Sequence, residues 1–166
     1  MKPLTNDLKI KIETAIKNKI DISNLIEDVD LRNLNLSRAI IKKLNIRNRD
    51  ISGCNFSNTI LGDPEVKLSV SFIDCKMQHC NFEGANFIGI SWIRSCDAQF
   101  CNFSNADVSK ISYANTNFLG SRFCEAIIRI GTKEGLNCKF PIEMFENLTR
   151  GWGMKLKAEY NNETQV

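Results

Sequence analysis

Seven cysteines, one histidine and 19 carboxylates are the side chains in this 166-residue chain that could carry chemistry. Thiolates at Cys-x-x-Cys spacing would hold zinc, and a cysteine served by an imidazole would be a nucleophile. Neither pattern occurs. Cys75 and Cys80, and again Cys96 and Cys101, stand five residues apart. His79 has no second histidine to pair with. The chain has no glycine-rich phosphate loop and no nucleophile elbow, and its acids are scattered. These absences predict no catalytic residue, no metal site, no cofactor and no enzymatic activity.

What spaces the cysteines is a period of five, which is neither helical nor a simple strand alternation. Residues 101–125 read CNFSN, ADVSK, ISYAN, TNFLG, SRFCE. The first position is small or apolar, the second is mostly Asn or Asp, the third is large and apolar, and the last two are small or polar. CNFSN at 54–58, CNFEG at 80–84, ANFIG at 85–89 and TNFLG at 116–120 repeat the motif. A sustained repeat is read before any single element, because it decides the fold.

Over about residues 24–128 the chain resembles the pentapeptide-repeat family. The resemblance implies an all-β fold, a right-handed quadrilateral β-helix in which four pentapeptides make one square coil. It predicts about five coils over 24–128, an N-terminal capping helix in 1–23, and a C-terminal loop, short helix and tail in 129–166. In that family positions one and three face inward. Cys54, Cys75, Cys80, Cys96 and Cys101 then become small apolar fillers, while Cys124 and His79 point outward.

The third positions run Ile26 to Val66, then Phe72 to Trp92, then Ala98 to Ile128, with one-residue slips expected in 62–69 and near Arg94 or Ser95. Stacked on that frame, the faces read Leu36-Phe56-Met77-Ala98-Phe118, Ile41-Leu61-Phe82-Phe103-Phe123, Ile46-Val66-Phe87-Val108-Ile128 and Leu31-Ile51-Phe72-Trp92-Tyr113. Arg49 breaks the pattern at an inward first position. A buried unpaired guanidinium is costly, so Arg49 is expected to reach solvent or Asp50.

Both ends read as helical caps. Leu8, Ile12, Ala15, Ile16 and Ile20 recur at helical spacing over 5–20, with Thr5 or Asn6 as the N-cap. Residues 141–150 read as a short helix and 152–156 as a strand. The family resemblance makes Phe145, Leu148, Trp152 and Met154 a candidate homodimer contact.

With a filled core, function must lie on the outer surface. Outward Ile73, Ile93 and Ala114, with Ile88 and Leu119 beside them, form a candidate apolar interface for a protein partner. Residues 1–50 carry 11 basic and 7 acidic side chains, residues 51–128 carry 5 and 7, and the whole chain is +3. Arg38, Lys42, Lys43 and Arg47 are therefore a candidate basic patch for nucleic acid. The leading expectation is a non-catalytic protein-interaction scaffold. The family's best-known activity, protection of bacterial DNA gyrase and topoisomerase IV by an acidic DNA mimic, is the alternative, and the positive charge weakens it. No apolar run approaches the roughly 18 residues of a membrane span. The start, MKPLTNDLKIKIE, lacks a signal-peptide core, so a cytoplasmic location is expected.

Overall fold

The computed structural model describes residues 3–128 and 138–141. Helix α1 (Asn6–Lys17) and the single turn α2 (Ser23–Ile26) precede seven short strands. These are β1 (Ile40–Ile41), β2 (Leu44–Arg47), β3 (Ile60–Leu61), β4 (Val70–Ile73), β5 (Asn86–Phe87), β6 (Ser91–Arg94) and β7 (Ile111–Ala114). The strands form two parallel ladders, β1-β3-β5 and β2-β4-β6-β7. Single bridges make two more ladders, Asn35-Asn55-Asn81-Asn102-Arg122 and Asp50-Lys76-Asp97-Asn117-Lys139. The chain is thus wound as a four-sided parallel β-helix.

The motif explains the winding locally. On three sides the second-position carboxylate or amide accepts a hydrogen bond from the backbone N–H two residues on. Asn35 takes that of Ser37 (3.1 Å), Asp50 that of Ser52 (2.9 Å), Asn81 that of Glu83 (3.0 Å) and Asp107 that of Ser109 (3.0 Å). Such Asx turns satisfy a donor that the coil would otherwise leave open. At most fifth positions the backbone is left-handed, with φ between 50° and 63° at the non-glycine corners from Asn33 to Glu125. Asn tolerates that region best among residues with a side chain, hence its frequency there. On the fourth side Ser71, Trp92 and Ser112 replace Asn or Asp, and the chain runs instead as the four-residue strands β4, β6 and β7.

Inside, the third positions stack. Phe56, Phe82, Phe103 and Phe123 lie ring over ring, with successive centroids 5.0, 4.9 and 4.9 Å apart. Phe118 and Phe140 stack at 5.1 Å on the next side. The two slips differ from expectation. Asn55 pairs with Asn81 and Ile60 with Asn86, so that coil holds 26 residues. The extra six leave the coil as a loop over 62–68. Val66, expected inside, is exposed on this loop, as is Pro64. Phe56 therefore lies under Phe82 rather than Met77. Leu61 and Val66 are five apart, and that coincidence imitates the repeat.

The second slip falls at 88–90 rather than near Arg94, because Val70 pairs with Ser91 and Phe72 with Ile93. Ile93 is accordingly core and Trp92 outward, the reverse of the expectation. The outward Trp92 ring carries the Arg94 guanidinium 3.9 Å above it.

The N-terminal helix forms as expected but ends earlier. The Leu8 N–H donates to Thr5 Oγ1 (3.3 Å) at the cap, and Ile12 and Ala15 bury against the core. Lys19 turns left-handed at φ 55°, which ends the helix and leaves Ile20 exposed. Arg49 is half-buried and keeps part of its guanidinium in solvent, as expected, but its acceptors are backbone carbonyls. Its guanidinium donates to the carbonyls of Glu27 (3.1 Å) and Val29, tying the first coil to the second. The expected C-terminal helix and the residues Phe145, Leu148, Trp152 and Met154 lie outside the described residues.

Candidate interaction surface

The thiols sit where the repeat places them. Cys54, Cys80 and Cys101 stack in one inward column, and Cys75 and Cys96 in the next. Each Sγ–H donates to a backbone carbonyl, as Cys80 does to Ile51 (3.2 Å) and Cys101 to Met77 (2.9 Å). Burial pushes the Cys54 thiol well up, and hydrogen bonding to Cys80 together with burial does the same for Cys101. Among the described residues no three His, Cys, Asp or Glu side chains converge on a metal site. An aromatic disulfide reagent is expected to react with exposed Cys124 at once. The five buried thiols should react only after denaturant, a difference read directly from release of the coloured thiolate. Fast reaction of more than Cys124 and the half-buried Cys138 would contradict the packing.

The residues expected to form one apolar stripe do not share a surface. Ile93 is 0 % exposed and belongs to the core. Ile73 and Ala114 are half-buried in an outward row that also holds Arg47 and Arg94, so cations interrupt it. Leu119 (43 % exposed) lies on another corner beside Phe100 and Gly120. Ile88 is half-buried, its N–H donating to the Leu61 carbonyl (2.9 Å) just before the loop. The basic residues are divided as well. Arg47 is on the outward row of the four-stranded side, Lys42 and Lys43 turn the corner before it, and Arg38 faces helix α1.

Where apolar side chains do gather in the open is around the loop. Ile60 (40 % exposed) precedes it, Val66 (44 %) stands on it, and Ile90 (53 %) lies beneath it, its carbonyl accepting the Ser69 N–H at 3.2 Å. The loop is held from both sides. Asp63 Oδ1 accepts the Glu65 N–H (3.0 Å) and Asp63 O the Val66 N–H (3.2 Å). At its base Gly62 is left-handed at φ 98°, and a Cβ on Gly89 would come within 2.7 Å of Asp63 O. Lys110 Nζ donates to the Ile88 carbonyl (2.8 Å) at the edge of the patch. The sequence marked this place by a Gly-Asp-Pro-Glu run between two repeat segments, but counting it as a one-residue slip put Val66 at an inward position.

A second exposed group went unread. Phe100 occupies a left-handed corner at φ 58°, unusual for a bulky residue, and is 55 % exposed. Its ring lies flat on His79, with centroids 5.2 Å apart and planes 11° apart. The other side of the ring covers Gly120, where a Cβ would approach it to 2.6 Å.

Residues 26–61 and 69–89 match the family model of pentapeptide repeats, in eight copies. The break between the two segments is the loop. No curated protein matches the sequence significantly. Similar solved structures include QnrB1, a plasmid-mediated fluoroquinolone resistance protein, at 14% identity over 76% of this chain and 91% of that one, with a TM-score of 0.25. A pentapeptide repeat protein of the Arabidopsis thaliana thylakoid lumen shares 21% identity over 62% of this chain and 76% of its own, TM-score 0.21. One from Nostoc shares 16% over 81% and 96%, TM-score 0.23. Overlays that loose carry no argument beyond the repeats themselves. Among the described residues no helix is long and apolar enough to cross a membrane. Residues 26–61 and 69–89 are thus pentapeptide repeats, eight copies within a four-sided parallel winding.

Proposed function

We propose that the protein is a non-catalytic interaction scaffold, a right-handed β-helix of about five coils capped at its N-terminal end by α1, that presents the loop corner to a protein partner in the cytoplasm. The observation that carries this reading is that Ile60, Val66 and Ile90, all exposed, stand on or border a loop whose own backbone is hydrogen-bonded and whose base is too tight for a side chain at Gly89. A preorganised apolar patch on a rigid support costs little ordering on binding, which is what an interaction surface requires. Ile88 belongs to this patch, and Leu119 to the separate Phe100 corner. Imitation of duplex DNA finds less support, because the ladder through Asp50, Lys76 and Asp97 alternates in sign.

The test compares affinity captures from nuclease-treated host lysate by the unaltered chain, by Val66→Lys with Ile90→Lys, and by Ile73→Lys. The loop pair is expected to fold with an unchanged melting temperature and to lose a partner that Ile73→Lys retains. Retention by the loop pair, with loss on Ile73→Lys, would move the interface to the four-stranded side.

A further inference from the structure

Helix α1 does not lie flush on the coils. Beside its C-terminal half runs a groove of about 640 Å³ lined from the helix end by Glu13, Lys17 and Lys19, and from the coils by Arg38, Ser37 and Ser57. Beside its N-terminal half runs a smaller groove of about 330 Å³ with Lys9 and Arg32. Glu13 and Asn35 line both, so the two make one trough along the helix. Its charged groups are Lys9, Lys17, Lys19, Arg32 and Arg38 against the carboxylate of Glu13. Arg32 is already held by Asp30 at 2.6 Å. Among the described residues the groove cations without a carboxylate partner are thus mostly at the larger end, together with the uncharged groups Asn35, Ser37, Ser57 and Asn58.

Two of these cations sit where the backbone does not favour them. Lys19 has φ 55° and Arg38 φ 63°, both left-handed positions better filled by Gly or Asn. Both side chains nevertheless line the same groove. Lys, Arg, Ser and Asn are the side chains that contact phosphate oxygens without reading bases. The helix is 12 residues long, about 18 Å, which suits an extended chain lying along it.

We propose that this trough binds the phosphodiester backbone of a single-stranded nucleic acid, independently of sequence. The surface is distinct from the loop corner, and neither reading depends on the other. Lys42 and Lys43 line neither groove and take no part. Farther along the same side Glu83 follows Ser57 and Glu125 stands in the column of Arg38, while Arg122 ends the Asn35 ladder beyond the reach of helix α1.

The left-handed geometry supplies a clean test. Lys19→Gly with Arg38→Gly removes two charges while relieving backbone strain, so the doubly substituted chain should melt no lower than the unaltered one. Fluorescence anisotropy of a labelled oligothymidylate of about 20 nucleotides is followed as salt rises from about 20 mM. The unaltered chain is expected to bind with a log–log salt slope of about −2, as three neutralised phosphates would give. The glycine pair should bind about tenfold more weakly with a shallower slope, while Lys42→Gln with Lys43→Gln should bind as before. Three outcomes would overturn the proposal. One is no binding at low salt. The second is equal loss in both pairs, which would mean diffuse attraction. The third is displacement by oligoglutamate of equal charge as effective as by unlabelled oligonucleotide, which would assign the trough to acidic peptide.

Discussion

Phe82→Ala is expected to destabilise the protein by about 3–5 kcal/mol, the range for removing a buried phenylalanine, measured by chemical denaturation. The ring is fully buried at the middle of the aromatic column, between Phe56 at 5.0 Å and Phe103 at 4.9 Å. Phe72 and Phe87 close the sides at 6.1 and 6.0 Å. A cavity there cannot collapse easily. The rings above and below are fixed at ladder spacing, because the Phe82 N–H donates to Asn102 O (2.7 Å) and the Phe56 N–H to Asn81 O (2.7 Å). Lost dispersion contacts on both ring faces therefore remain lost. Each coil touches only its neighbours, so a defect in the middle also weakens coupling between the two halves of a solenoid. The companion substitution Phe100→Ala removes an equally large ring that is mostly in water and should cost less than about 1 kcal/mol. Similar losses for the two would mean that the column relaxes around the gap, and the account of the core would fail.

The difference between these phenylalanines was partly legible. The motif CNFEG placed Phe82 inside by its third position, and burial of the five repeat cysteines follows from the same frame. Phe100 stands at a fifth position, where Gly53 and Gly120 occupy equivalent corners, and the repeat alone gives no reason for an aromatic there. Its partners, His79 and Gly120, come from neighbouring coils 21 and 20 residues away, so only the stacking register brings them together. That register depends on how many residues the loop takes out of the coil. A loop of one residue and a loop of six both restore the period, and they differ by one whole side of the square. Apolar spacing could not choose between them, because Leu61 and Val66 fit either. The backbone ladder chose, and with it moved every predicted stack that spans the loop, while Phe82-Phe103-Phe123 stayed as predicted. Arg49 shows the same limit. Its position on the inward column was readable, but its acceptors, the carbonyls of Glu27 and Val29, carry no sequence signature.

Gly89→Ala is expected to cost about 1–3 kcal/mol, as overpacking does, and to release the loop that carries the proposed interface. Gly89 is not left-handed, so alanine meets no conformational penalty there and the effect is purely steric. The added Cβ would lie 2.2 Å from Ser69 Oγ, 2.7 Å from Asp63 O and 2.9 Å from Asp63 N. A hydroxyl can rotate away, but two backbone atoms of the loop base cannot move without shifting residues 62–69. Trypsin cleavage after Lys67, exposed on the loop, should therefore accelerate well before global unfolding. Gly84→Ala provides the opposite case. That residue is left-handed at φ 64°, and its new Cβ would meet the Asn58 side chain, Oδ1 at 2.6 Å and Cγ at 3.4 Å, with no backbone atom as close. It should cost about 1 kcal/mol through backbone strain and leave cleavage at Lys67 unchanged. If Gly89→Ala left both stability and cleavage as they were, the loop base would have room to give. The patch formed by Ile60, Val66 and Ile90 would then lose the rigidity on which its role as a docking surface rests.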